Sequence, residues 1–382
     1  MSEIKVNSIK GVGASSAAIT VNNTDGTCTA NITNNLSNRN VTKNSAMQIA
    51  QRGTSFTSVT SSAYYLDRFY LYLQNSSAAF TVTQSTDSPD GFGNSLKLDV
   101  TTADDDIASN EEVKLQYKLE GFDVQRFAKG TSAAKKFTLS FYVKTTKTGV
   151  YCVRLYDRDN NRDVSGSYTV SDTNWNRYTI DFPADTTGAF GNDNGSSLEI
   201  MWWLVAGSAV QGGSLNTAWR TSADASSATG QVNFTDDLAN DWYLTGVQLE
   251  ATDTGVATDF EHRSFAQELA LCQRYFIRLG DGVSGATYVA MGIRAGATTT
   301  RAYITFPTTM RSAPTFSEFG NLTVGDEQAG DANITAIRSN EATPNGGRVQ
   351  FTHDSHGSGS AGQVQFIIAD ASTDGLDCSA EL

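Results

Sequence analysis

The side chains of this sequence that could do chemistry are five tryptophans and a few clusters of polar residues. A saccharide offers apolar ring faces fringed by hydroxyls. Proteins hold it by stacking aromatic rings on the faces and bonding the hydroxyls from Asp, Asn, Gln or Arg. In Met201-Trp202-Trp203-Leu204, strand alternation sends the two indoles to opposite faces. At least one then leaves the inner core, unless a loop or a neighbour covers it. Trp219-Arg220 lies in a Gly/Ser-rich loop from Gly212 to Gly230, where no strand core demands an indole. Such a ring is either an anchor packed down on the domain or a ligand platform. Trp219 and Arg220, followed by Trp203, are the candidate ligand-binding residues. Trp175 and Trp242 open strands and read as core.

A second cluster, Asp157-Arg158-Asp159-Asn160-Asn161-Arg162-Asp163, sets oxygen side chains at alternate positions: Asp157, Asp159, Asn161 and Asp163. Alternating carboxylates are one way a loop wraps Ca²⁺. The Gly and distal Glu of an EF-hand are missing, and the interleaved arginines oppose a cation. A solvated hairpin loop is the plainer reading, and Asp104-Asp105-Asp106 reads as a wet turn. His353-Asp354-Ser355-His356 supplies two ligands at most and reads as an exposed polar loop, with a metal site assembled around a trimer axis as the alternative. No cofactor is expected, with Ca²⁺ the one metal weighed. There is no GxSxG elbow, Walker loop, HExxH helix or Cys/His nucleophile constellation. Three histidines leave little scope for a His general base, so the chain does not read as an enzyme.

The elements that carry these residues are β-strands. The run Tyr64–Leu73 is strongly β-prone by its aromatic content. In Phe137–Val143 the odd positions are apolar and the even ones mostly polar, the period of a half-buried strand. Further strands are predicted at Ser95–Val100, Glu112–Leu119, Lys136–Lys144, Val150–Tyr156, Tyr178–Phe182, Leu198–Val205 and Trp242–Leu249. About eight strands over ~200 residues predict an antiparallel β-sandwich of jelly-roll type. One helix follows: Ser264 can cap it, Gln267 can complete a capping box, and Phe265, Leu269, Cys272 and Phe276 make one apolar stripe. The chain then returns to β at Thr287–Ile293, Arg301–Phe306, Arg348–His353 and Val364–Ala369, a smaller sandwich-like unit.

The expected organisation is an N-terminal arm (1–43), a jelly-roll domain (44–260), a connecting helix (261–278) and a C-terminal β tip (279–382). The arm has short apolar beats at Ile4, Val6, Ile9, Ile19 and Val21 but too little to build a core. It reads either as a disordered tail or as an extended arm ordered by packing on sister chains or a docking partner, the second being the expectation.

Composition narrows the class. The chain has 382 residues, and 28 Lys+Arg against 41 Asp+Glu give a net charge of −13. That balance argues against nucleic-acid binding, which needs clustered cations. No stretch reaches the ~18–20 apolar residues of a membrane span, and the N-terminus lacks the apolar segment of a secretory signal. Cys28, Cys152, Cys272 and Cys378 are widely spaced, form no metal-ligand pattern, and read as reduced thiols.

Several short blocks carry a family resemblance. Asn44-Ser45-Ala46-Met47-Gln48-Ile49-Ala50-Gln51-Arg52-Gly53-Thr54-Ser55-Phe56 resembles an opening found in bacteriophage tail-fibre-like proteins. Leu66–Phe69, Leu119–Val124, Thr245–Glu250, Glu268–Phe276 and Met310–Thr315 are similar to blocks that follow in the same order. The resemblance implies a virion-surface fibre subunit, a homotrimer with a jelly roll like those of carbohydrate-binding modules. It would attach to a tail or capsid docking protein through its arm and bind host surface polysaccharide without cleaving it. The alternatives are a capsid-decorating or head-fibre protein and, more remotely, a polysaccharide depolymerase. A depolymerase usually carries a long β-helical body, and no solenoid repeat is visible here.

Overall fold

A computed structural model describes residues 6–10, 12, 18–22, 24, 26, 28–30, 37–280, 287–326, 331–355 and 360–382. The strands and helices are, in chain order, β1 (Ser8–Ile9), β2 (Ile19–Val21), β3 (Cys28–Ala30), β4 (Ser55–Val59), β5 (Ala63–Leu66), β6 (Phe69–Gln74), β7 (Ala79–Ser85), β8 (Ser95–Thr102), β9 (Glu112–Glu120), α1 (Gly121–Val124), β10 (Lys136–Thr145), β11 (Gly149–Asp157), β12 (Arg162–Val170), β13 (Asn176–Phe182), β14 (Ser196–Ala206), β15 (Arg220–Thr221) and β16 (Asp241–Thr252). They continue with α2 (Phe265–Gln273), β17 (Phe276–Leu279), β18 (Thr287–Gly296), β19 (Thr299–Thr305), β20 (Thr315–Phe319), β21 (Leu322–Gly325), β22 (Ala332–Thr343), β23 (Gly346–His353), β24 (Val364–Ala369) and β25 (Gly375–Ser379).

The fold is all-β and sandwich-type. A six-stranded sheet, β13-β10-β16-β8-β7-β4, faces a seven-stranded one, β15-β12-β11-β14-β9-β6-β5. Strand alternation sends Phe137, Leu139, Phe141, Leu96, Leu98 and Trp242 from the first sheet into one shared core. From the second come Leu115, Tyr117, Val153, Leu155, Ile200 and Trp202. Gly246 marks a bulge where β16 crosses β10: it has φ 61°, and a Cβ there would collide with Tyr142 and Phe92. Only glycine tolerates that combination cheaply.

Every strand predicted before residue 250 is present, most of them a residue or two longer, but the Tyr64–Leu73 run is a hairpin rather than one strand. Asp67 and Arg68 turn the chain, with Arg68 at φ 72°, and Tyr64 of β5 pairs with Tyr70 of β6. The most polar residues of the run leave the ladder because their side chains bond elsewhere: Asp67 accepts from Gln51, and Arg68 donates to Glu381 and to the Lys118 carbonyl. Strands β4, β7 and β12 were not legible, being rich in Ser, Thr and Gly. Trp242 is core as predicted. Trp175 is not: it is half-exposed, with its indole N–H on Asp87 at 2.9 Å and its ring 6.0 Å from Tyr243.

The C-terminal strands β18-β19-β23-β22-β21-β24 close into a barrel, not the predicted sandwich, beside a three-stranded sheet, β17-β25-β20. Closure leaves no open edge to protect. His353 is buried in β23, its ring 3.1 Å from Thr300 Oγ1 and 2.8 Å from the Asp354 carbonyl, so it is not part of an exposed loop; His356 lies outside the described residues. Helix α2 has the predicted capping box of Ser264 and Gln267. Its predicted apolar stripe is broken, because Phe265 is exposed and Phe276 belongs to β17, whereas Glu268 and Cys272 are buried. Of the expected arm, β1–β3 form a small antiparallel sheet, and residues 1–5, 11, 13–17, 23, 25, 27 and 31–36 lie outside the described residues. Among the described residues no helix is long and apolar enough to cross a membrane.

A buried polar junction joins the segment before β4, helix α2 and the chain's last residues. Asn40–Ser45 are all buried. Glu120 accepts from Arg274 at 2.8 and 2.6 Å and from the Tyr275 hydroxyl. Lys43 pairs with Asp123, and Glu268 accepts from the Asn44 amide and from Arg263 at 2.8 Å. Arg68 lies 3.5 Å above the Tyr275 ring and pairs with Glu381. Burial works against the Glu120 carboxylate, but the Arg274 and Tyr275 hydrogen bonds outweigh it and hold its pKa below the usual range.

Candidate functional site

The outer face of the seven-stranded sheet carries the candidate site. Residues that alternate with the core positions face away from the other sheet, and the register stacks them in cross-strand rows. One row runs Tyr70, Gln116, Met201, Arg154, Ser165. A second holds Tyr72, Lys114 and Trp203, and a third Lys118, Glu199, Tyr156, Asp163 and Arg220. From these rows Tyr70, Tyr72, Lys114, Gln116, Lys118, Arg154, Tyr156, Glu199 and Met201 line a cleft of about 520 Å³ with Arg158, Asn161 and the segment Ser222–Asp224.

The cleft pairs tyrosine rings with charges that already have partners. Lys114 lies 4.6 Å above the Tyr72 ring and 4.5 Å from that of Trp203, and forms an ion pair with Glu112. Lys118 lies 5.2 Å from the Tyr70 ring and donates to the Leu382 carbonyl at 2.8 Å. Arg158 donates to Glu199 at 2.8 Å, and the Tyr156 hydroxyl to Asn161 at 3.0 Å. Burial pulls the pKa of Lys114 and of Lys118 below the usual lysine value. Burial and the nearby Glu112 carboxylate raise that of the Tyr72 phenol, keeping it a neutral hydroxyl. A surface of ring faces, hydroxyls and balanced charges can stack a sugar and exchange hydrogen bonds with it.

The predicted ligand residues take different places around this cleft. Trp203 points to its side of the sheet but is fully buried, packed with Cys152, Ala206, Val210 and Ala228 under the loop 207–230. The loop covers the outer face at Trp203, one of the two outcomes the strand pattern allowed. Trp219 packs on the core instead, 5.4 Å from the Phe137 ring, with its indole N–H on the Pro183 carbonyl at 2.8 Å. Arg220 spends its guanidinium on Asp163, Ser226 and the Ala223 and Ala225 carbonyls.

The run Asp157–Asp163 spans the β11–β12 hairpin, and its turn is solvated, with Asp159 and Asn161 exposed, but its two end carboxylates are not. Asp157 and Asp163 are in strands and fully buried; Lys129 pairs with Asp157 at 2.5 Å, and Arg154 and Arg220 with Asp163. Asp159 accepts from the Gly191 amide at 2.7 Å, and Asn161 faces the cleft. Asp104 is likewise mostly buried, accepting from the Ser77 amide at 2.7 Å, while Asp105 and Asp106 are exposed, as a wet turn would have them. Among the described residues no group of three or more His, Cys, Asp and Glu is placed to hold a metal ion. Cys152, Cys272 and Cys378 are free thiols.

Sequence reasoning missed Tyr70, Tyr72, Lys114, Lys118, Arg154, Tyr156, Glu199 and Asp224. The signal was there in part: polar residues alternate at Lys114, Gln116 and Lys118 within a strand whose other positions are apolar. A central strand with that pattern has one polar outer face.

The chain matches no protein-family model and no curated protein. Solved structures similar to it include the enzymatically active domain of bacteriophage CBA120 tailspike protein 4, at 15% identity and TM-score 0.29, covering 51% of this chain and 21% of that one. TmCBM61 in complex with β-1,4-galactotriose aligns at 8% identity and TM-score 0.29, covering 56% of this chain and 99% of that one. The CBM22-1 xylan-binding domain from Paenibacillus barcinonensis Xyn10C aligns at 13% identity and TM-score 0.26, covering 48% and 86%. The chain thus spans about a fifth of the tailspike domain's length and most of each binding module's.

Proposed function

We propose that this chain is a non-catalytic glycan-binding subunit of a phage fibre, and that it binds through the outer cleft of the seven-stranded sheet. The observation that carries the binding reading is the lining itself: Tyr70, Tyr72 and Tyr156 stand beside Gln116, Arg158, Glu199 and Asp224. Because the cleft's cations largely have partners within the chain, the ligand it suits is a hydroxyl-rich, uncharged saccharide. Trp203 buttresses the floor from the side, against Lys114, Trp219 anchors the covering loop, and Arg220 braces it. The sandwich would be a jelly roll in this reading, with the arm as a separate attachment segment and the barrel as the tip.

The fibre part of the proposal rests on the sequence blocks between Asn44 and Thr315. A homotrimer on the virion surface, attached by its arm to a docking protein, follows from the same resemblance. The barrel's outer face also fits a neighbouring chain, since Tyr288, Met291, Ile293, Tyr303 and Val364 are exposed there. Sedimentation of the full chain tests the trimer, and a monomer at micromolar concentration would overturn it.

The test of binding is retention of the full chain on host surface polysaccharide, with Tyr72→Ala alongside and reducing ends assayed. Retention that Tyr72→Ala weakens, with no reducing ends released, is the expected result. Absence of retention across the neutral glycans of the host envelope overturns the binding reading, and released reducing ends overturn the non-catalytic one.

A further inference from the structure

One wall of the cleft, the segment Ser222–Ser226, has an unusual support. Both of its ends are held by the main chain: the Ser222 amide donates to the Asn161 carbonyl at 2.8 Å, and the Asn216 amide donates to the Ser226 carbonyl at 3.0 Å. Between these points the side-chain partners are two guanidiniums. Arg154 donates to Ser222 Oγ at 2.7 Å and to Asp224 Oδ1 at 3.3 Å. Arg220 donates to the carbonyls of Ala223 and Ala225, at 2.7 and 2.8 Å, and to Ser226 Oγ at 3.0 Å.

Both guanidiniums converge on one carboxylate. Asp163, fully buried, accepts from Arg154 Nε at 2.9 Å on one oxygen, which also lies 2.8 Å from Arg154 Nη2, and from Arg220 Nε at 3.0 Å on the other. A guanidinium is a rigid planar fork, so fixing one edge fixes where the remaining N–H groups point. The Asp163 carboxylate therefore sets the direction of both forks. Asp224, whose side chain is 77% exposed, is the wall's one charged acceptor on the cleft, and a carboxylate can accept two sugar hydroxyls at once.

We propose that Asp163 is the positioning residue of the cleft: it touches no ligand, and through Arg154 and Arg220 it holds the Ser222–Ser226 wall so that Asp224 meets the bound sugar. The inference rests on the cleft's being the glycan site. It makes Arg220 a brace and Asp224 the specificity-determining residue, which a reading of the Trp219-Arg220 dipeptide alone would reverse.

The test uses the full chain with two independent readouts. In Asp163→Asn the shape is kept and the charge lost. Glycan affinity is expected to fall about tenfold or more, the range outer-shell partners command when they orient a ligating group. Asp224→Ala should weaken binding as well, and the double variant no further than Asp163→Asn alone, because both act through one wall. Additive losses, or unchanged affinity in Asp163→Asn, overturn the proposal. Hydrogen exchange at the Ser222 and Ser227 amides, which bond the Asn161 and Asp224 carbonyls, reads the clamp without any ligand. It should quicken in Asp163→Asn while core amides of β9 and β14 stay protected. Unchanged exchange overturns the clamp even where binding changes. If the wild-type chain retains no glycan, the functional reading falls and the exchange result alone decides whether Asp163 holds the wall.

Discussion

The buried junction around Glu120 and the open cleft around Arg154 are built from the same residue types: Arg, Lys, Glu, Asp and Tyr. At the junction, Glu120 is saturated by Arg274 and Tyr275, and the Arg68 guanidinium lies against the Tyr275 ring. In the cleft, the charges are paired along the floor, but the tyrosine rings are only half-buried and the Asp224 carboxylate is open to solvent. Buried charges cost stability unless every one is matched. The binding role proposed for the cleft needs the opposite: paired charges that stay put and some capacity left over. Saturation against surplus, more than composition, separates the two regions.

The contrast breaks most readily at the junction. Glu120→Ala leaves Arg274 and Tyr275 facing a lost partner, and about 3–5 kcal/mol of stability should go with it. Denaturant unfolding measures this, and a loss under about 1 kcal/mol would mean that the junction is solvated. In the cleft, Tyr72→Ala should weaken glycan binding about tenfold, or ~1.4 kcal/mol. Its effect on the unfolding free energy should stay below about 1 kcal/mol, as at most surface positions. Equal effects on stability and binding would erase the distinction.

A pH series sharpens the same comparison. Glu120 titrates below its ordinary value of 4.5, so its contribution is complete above that value and is lost as pH falls through the depressed folded pKa. Unfolding free energy should therefore drop between pH 5 and the acid limit, by an amount that Glu120→Gln lacks. Parallel acid limbs in the two proteins would assign the drop to other carboxylates. The smallest effect is expected at Trp219→Phe, which keeps the packing on Phe137 and removes the bond to Pro183. About 1 kcal/mol of stability should be lost and glycan affinity retained. Lost affinity at full stability would instead make Trp219 a platform.

Much of the sandwich was legible because a half-buried strand writes its two faces into alternate residues, as in Phe137–Val143. The capping box of α2 was legible for a similar reason, since Ser264 and Gln267 act on backbone three residues away. What failed needed distant partners. Asp67-Arg68 looked like the middle of a strand because the groups that draw them out lie outside it, Gln51 before the hairpin and Glu381 at the other end of the chain. Asp163 looked like a loop residue until Arg154 and Arg220 were seen to close on it from two other strands.

By itself, then, the sequence determined the β class, the strand periods, the helix cap and the fact that Trp202 and Trp203 part to opposite faces. These follow from interactions between near neighbours, which spacing records. Only the tertiary structure decided that the C-terminal strands close into a barrel, that the loop 207–230 covers Trp203, and that Tyr70, Tyr72 and Tyr156 share one cleft with Asp224. Those outcomes depend on register between strands separated by tens to over a hundred residues, where side chains meet only after the sheets have formed.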